Sequence, residues 1–165
     1  MKPVFRIALL AAAVAAGVWL WTVIFPGPEK IIRRQVAAIA RAASFNAGEN
    51  PLVAAAGAEQ FAGFFSPAVD VNLDLPGRAR QTLSGRDEIL QAVLAARASV
   101  SGLKVKFPDV AVTVNPDRQS ALADLDVEAQ VAGDKDSIVL EMKFTFQKTD
   151  GRWLVTHVET VRPFS

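Results

Sequence analysis

Residues 7–25 form a run of 19 residues without a charge, in which only Gly17 and Thr22 are not apolar. At about 1.5 Å per residue this run makes a helix of roughly 28 Å, close to the bilayer hydrocarbon core of about 30 Å. Lys2 and Arg6 precede it, Trp19 and Trp21 stand towards its far end, and Pro26-Gly27-Pro28 comes after it. Indole rings suit the membrane interface, and proline stops a helix. The run has no polar stripe, so it does not read as a surface helix of a soluble domain. It reads as one membrane span through residues 4–25. A cleavable signal peptide is the alternative, but that needs a shorter apolar core with small residues after it. Here the small residues, Ala11–Gly17, lie in the middle.

The flanking charges conflict. Lys2 and Arg6 hold the N-terminus in the cytoplasm, whereas Lys30, Arg33 and Arg34 pull the other way. The first flank usually dominates, which predicts a single-pass protein of the inner or plasma membrane with its domain on the extracytoplasmic side. The basic residues after the span, with Arg41, either touch anionic headgroups or form the solvated side of a helix.

Beyond the anchor and linker (1–28), the remaining chain (29–165) is long enough for one domain. Eighteen Lys+Arg balance seventeen Asp+Glu, which excludes a strongly basic nucleic-acid binder. The absence of Cys excludes disulfides, thiolate metal sites and a Cys nucleophile. A single His excludes a multi-histidine metal site. There is no Gly-rich phosphate loop. No cofactor, metal or nucleic acid is expected.

Pro28 at a first helical position opens a helix with Ile31, Ile32, Val36, Ile39 and Ala43 along one stripe, and Asn46–Asn50 ends it. Asn50-Pro51 starts a second helix to about Phe65, which Ser66-Pro67 breaks. Val69, Val71, Leu73 and Leu75 alternate with Asp70, Asn72 and Asp74 as in a strand. Pro76-Gly77 is a turn before a short strand at 80–83. Ser84 and Asp87 resemble a capping box for a third helix, which ends at Gly102. The period then becomes two, and 103–114, 121–131, 138–147 and 153–162 read as strands. Helices first and an antiparallel meander afterwards is an α+β pattern.

Two hairpin turns set an expected register. An Asp150-Gly151 loop places Phe146 opposite Val155, Phe144 opposite His157 and Met142 opposite Glu159. An Asp134-Lys135 loop places Val127 opposite Met142, Leu125 opposite Phe144 and Asp126 opposite Lys143. The inner face then holds Val112, Ala123, Leu125, Val127, Met142, Phe144, Phe146, Trp153 and Val155 as the lining of an apolar pocket. His157 and Glu159 fall on the same face. Two residues apart on a strand, they stand roughly 7 Å apart. Either they form an acid–base pair, with the carboxylate poising the imidazole, or they are a satisfied core and rim pair. Asp70, Asn72 and Asp74 make a solvated face, a polar pocket wall or an oxygen-rich cation stripe. Asp124, Asp126, Glu128, Glu141 and Lys143 lie on the outer face.

Ser84-Gly85-Arg86-Asp87-Glu88-Ile89 at the third helix, and Thr149-Asp150-Gly151-Arg152-Trp153-Leu154-Val155 at the last strand, carry a resemblance. With their order and spacing, the chain from Glu29 to Arg162 resembles the nuclear-transport-factor-2-like superfamily in its SnoaL-like branch. The resemblance implies three helices packed on a curved antiparallel sheet, forming a cone with an apolar pocket. It also implies that the outer sheet face can meet a second copy. Members include isomerases, dehydratases, polyketide cyclases and non-catalytic binding or assembly domains. Relatives similar to ketosteroid isomerase use an Asp base with a Tyr and a protonated Asp, and this chain has no Tyr. Many SnoaL-like members carry a His six residues after the Trp of the last strand. Here that position is Glu159, while His157 lies four after Trp153.

The sequence supports two functional readings. One is a membrane-anchored, non-catalytic module that takes a small apolar ligand, or meets a second copy or an envelope protein through its outer sheet face. The other is an isomerase or dehydratase using His157 and Glu159.

Overall fold

The computed structural model describes residues 2–24, 26–75 and 77–161, with side chains for all of these except 2–6 and 22. Four helices, α1 (Lys2–Ile24), α2 (Pro28–Ala43), α3 (Pro51–Ala62) and α4 (Arg86–Ser99), accompany six strands among these residues. The strands are β1 (Phe65–Leu73), β2 (Gln81–Ser84), β3 (Leu103–Val114), β4 (Ser120–Val131), β5 (Ile138–Thr149) and β6 (Arg152–Thr160). They form one sheet in the order β2-β1-β6-β5-β4-β3. Phe25, Pro76 of the expected turn and Arg162 of the expected last strand lie outside the described residues, as do the side chains of Lys2 and Arg6.

α2 is the helix that closes the core. Pro28 occupies its first turn, and Ile32, Val36, Ile39 and Ala42 form the buried stripe. Burial of a Val or Ile side chain contributes roughly 1.5–3 kcal/mol, so three of them fix this helix on the sheet. α3 is capped by the Asn50 side chain, which accepts from the Leu52 N–H at 2.9 Å. It ends at Ala62, earlier than expected, because the chain turns at Gly63 and enters β1 at Phe65. The sheet's concave side buries Val71, Ala123, Leu125, Phe144, Phe146 and Val155 against the helices.

Four expectations are corrected. The sheet is not purely antiparallel, because β1 runs parallel to β6. At α4 the N-cap is Gly85 at φ 88, not Ser84. With ψ 157 this is a conformation that essentially only glycine adopts, and the Ser84 N–H donates to Glu88 Oε2 at 2.7 Å. Glu88, not Asp87, therefore closes the start of this helix.

The β4–β5 loop is residues 132–137 rather than two residues. Val127 consequently faces Leu140, Leu125 faces Met142 and Lys143 faces Asp124. The shift is two residues, so every side chain keeps its expected face.

The β5–β6 hairpin begins as expected. Asp150 and Gly151 both take positive φ, 51° and 76°, and Phe146 pairs with Val155. One residue later the ladder shifts: Thr145 pairs with His157 and Phe144 with Val158. Thr156 is the extra residue of this β-bulge, and its hydroxyl donates to the Thr145 carbonyl at 3.3 Å. An odd shift exchanges the two faces beyond it.

Candidate functional site

The bulge decides what the cone contains. Val158, not His157, turns inward and is 3% exposed. A cavity of about 280 Å³ lies between the sheet and α2–α4. The strands supply Val71, Leu73, Val127, Met142, Phe144 and Val158, and the helices supply Ile39, Phe61, Ile89, Ala92 and Val93. Every lining residue is Ala, Val, Leu, Ile, Met or Phe. No lining side chain can donate a proton, accept one or orient a carbonyl. The cavity is just below the usual range of small-molecule sites, about 300–1,000 Å³.

Of the expected pocket residues, Val127, Met142 and Phe144 line this cavity. Ala123, Leu125, Phe146, Trp153 and Val155 belong to the buried core beside it, and Val112 is half-buried against that core. The helix contributions were not singled out as pocket lining from the sequence. Their signal on α4 is Ala92, Val93 and Ala96 on its inner side, where small residues leave room.

His157 and Glu159 sit together on the opposite face, with His157 Nε2 and Glu159 Oε2 3.7 Å apart and side chains 35% and 47% exposed. Their cross-strand neighbours are polar: Thr145 and Lys143 on β5, Asp70 and Asn72 on β1. The expected pairings of His157 with Phe144 and of Glu159 with Met142 are thus replaced. Ser84 Oγ donates to Asp70 Oδ1 at 3.1 Å, and Thr82 Oγ1 donates to Asn72 Oδ1 at 3.2 Å. Arg80 meets Asp74 at 3.4 Å. This face is a solvated polar network. Among the described residues no group of three His, Asp or Glu is placed to hold a metal ion.

The outer face of β3–β5 carries acids in register. Asp109 opposes Asp126, and Asp126 opposes Glu141. Asp124 is offset by Lys143 at 3.8 Å.

At the opposite end of the sheet, Asp117 organises the β3–β4 turn by accepting from the N–H groups of Gln119 and Ser120 at 2.9 and 3.1 Å. The Gln119 N–H is the chief reason its carboxyl is held below the ordinary carboxylate value.

Several solved structures share this architecture. An NTF2-like protein of unknown function from Pseudomonas putida is 13% identical over 83% of this chain and 87% of its own, with a TM-score of 0.63. A domain of unknown function with a cystatin-like fold from Nostoc punctiforme is 21% identical over 86% of this chain and 80% of its own, at 0.61. A scytalone dehydratase candidate from Novosphingobium aromaticivorans is 16% identical over 79% and 82%, at 0.58. At these identities the likeness shows the NTF2-like fold alone. No curated protein matches the sequence. The model of the SnoaL-like domain matches residues 34–159, most of the domain beyond α1, and the chain therefore belongs to the SnoaL-like domain family.

Proposed function

We propose that this protein is a membrane-anchored, non-catalytic binding module whose cone holds a small apolar ligand. The observation that carries this reading is the cavity lining, which is apolar throughout. General acid–base work needs a titratable group within hydrogen-bond reach of the substrate, and His157 and Glu159 lie across the sheet from the cavity. Binding by such a lining rests on dispersion and on apolar surface removed from water.

The anchor is the segment 4–25. Its support is α1, whose described large apolar side chains from Ile7 to Ile24 are 52–67% exposed. A helix that is apolar on every side belongs in apolar surroundings. Described side chains run from Ile7 to Trp21 and then Val23 to Ile24, and among the described residues no helix is long and apolar enough to cross a membrane. The outer face of β3–β5 is the surface we assign to a second copy or an envelope protein. The opposed Asp109, Asp126 and Glu141 repel one another there, which favours an envelope protein that brings cations rather than a second copy presenting the same acidic face.

The reading is tested by extracting the full chain from membranes in mild detergent and recording native mass spectra. We expect the chain to resist alkaline carbonate, to retain residues 1–28, and to carry an added apolar mass released on unfolding. A mature chain beginning near Glu29 in the soluble fraction contradicts the anchor. A chain that takes up no apolar compound from a panel of fatty acids, isoprenoids and aromatics contradicts the ligand.

A further inference from the structure

Directly after α1, the chain enters a surface cleft of about 640 Å³ whose walls bring together segments far apart in sequence. Pro28, Ile31 and Arg34 come from the start of α2, Arg118 from the β3–β4 turn, and Lys148 and Arg152 from the two sides of the β5–β6 turn. Four cations line the cleft and no acid does. Arg34, Arg118, Lys148 and Arg152 are all exposed, and none has a side-chain hydrogen bond or ion pair among the described residues.

Some cations elsewhere are engaged, although Lys30, Arg41, Arg78, Lys104, Lys106 and Lys135 also have no side-chain hydrogen bond or ion pair among the described residues, so it is the gathering of four in one cleft that sets it apart. Arg33 is held by Glu29 at 3.1 Å and by the Val110 carbonyl at 2.6 Å, Arg97 by Glu49, and Lys143 by Asp124. In the cleft four of them are gathered with no acid among the lining residues, although Asp117 and Asp150 stand beside them in the two turns. The arrangement is also held in place. The Lys148 N–H donates to the Gln119 carbonyl at 2.7 Å and ties the two turns together. Gln35 Nε2 donates to the Trp153 carbonyl at 2.6 Å and ties α2 to β6. Asp117 shapes the turn that presents Arg118, which takes φ 55.

We propose that this cleft is a docking surface for anionic phospholipid headgroups of the bilayer that holds α1, and that it seats this end of the domain on the membrane. The inference rests on the anchored reading above. Its position commits it to lipid rather than to a free ion. Pro26, the second residue after α1 ends at Ile24, is itself part of the cleft wall, so the cleft lies at the level where the chain leaves the membrane. Lys and Arg near an anionic surface each add to the attraction, and four of them line one cleft. The consequence is orientation: with this end down, the polar sheet face and the cavity are held at a fixed attitude to the bilayer.

The test places the full chain in nanodiscs of phosphatidylcholine alone or with about 30% phosphatidylglycerol, and follows backbone hydrogen exchange. Exchange in 115–119 and 148–152 is expected to slow by roughly tenfold or more in the anionic discs and to recover at about 0.5 M NaCl. The combined variant Arg118→Glu, Lys148→Glu, Arg152→Glu is expected to lose that protection while entering discs and unfolding as the parent does. Insertion with identical exchange in both discs overturns the docking surface and leaves the anchor standing. Failure to enter either disc overturns the anchor, and the docking surface with it. Equal protection in neutral discs on adding millimolar inorganic phosphate overturns the lipid assignment in favour of a soluble anion.

Discussion

Arg97 joins three parts of the molecule while only 7% of its side chain is exposed. It meets Glu49 at 2.7 Å, donates to the Ala42 carbonyl at 3.1 Å and lies 4.9 Å from the centre of the Phe45 ring. Taking a guanidinium from water is expensive unless it is paired, so Glu49 is the residue that makes this burial tolerable. Glu49→Ala is expected to cost about 1.5–3 kcal/mol in urea unfolding, the range for a hydrogen bond to a charged group. A loss below about 0.5 kcal/mol would mean solvent reaches Arg97 freely. Asp117 gives a second residue-scale expectation. Its folded pKa is depressed, so its charge-dependent contribution is present above its unfolded value and is lost as pH falls through the folded value. The melting-temperature gap between the parent and Asp117→Asn should therefore be full above about pH 4 and shrink steadily below it. A gap that widens in acid would contradict the assignment.

At the scale of elements, the β5–β6 hairpin shows both what pattern can reveal and where it fails. The Asp150-Gly151 turn type and the first pairs were legible, because positive φ at two successive residues demands such a sequence. The helices were legible for similar reasons: Pro28 and Asn50-Pro51 mark starts, and the stripe through Ile32, Val36 and Ile39 marks the buried side. The bulge was not, because strict alternation breaks down past Val155. A signal was nonetheless there. Alternation placed His157 and Glu159 inside and Val158 outside, a polarity that one extra residue at Thr156 reverses. Spacing of three between Val155 and Val158, both buried, is the mark of the insertion. The bulge makes opposite demands on adjacent positions. Val158→Asp, which puts a carboxylate in the cavity, is expected to cost more than about 3 kcal/mol or prevent folding. His157→Ser should stay within about 0.5 kcal/mol of the parent. Thermal unfolding of the two side by side decides between the faces, and the reverse order would restore the unbulged register.

Across the whole molecule, the sheet is completed by a pairing that local pattern does not reveal. β1 joins β6 in parallel although residues 74–151 separate them, and it thereby closes the polar face around His157. The family resemblance anticipated the cone, and the comparisons agree on that fold. The contents of the cone depend on which residues face inward, and those were legible only in part: Val127, Met142 and Phe144 from the strands and Ile39 and Ala43 on the stripe of α2, but not Phe61, Ala92 or Ala96. On this reading the cavity binds apolar molecules and His157 takes no part. This is tested most directly by titrating the full chain in detergent with N-phenyl-1-naphthylamine, a neutral fluorescent probe, and repeating the titration with Ala92→Phe and with His157→Ala. Saturable binding to the parent is expected, with a loss of about tenfold or more in affinity when the ring introduced by Ala92→Phe fills the cavity, and no change for His157→Ala. Binding that survives Ala92→Phe but falls with His157→Ala would contradict that reading.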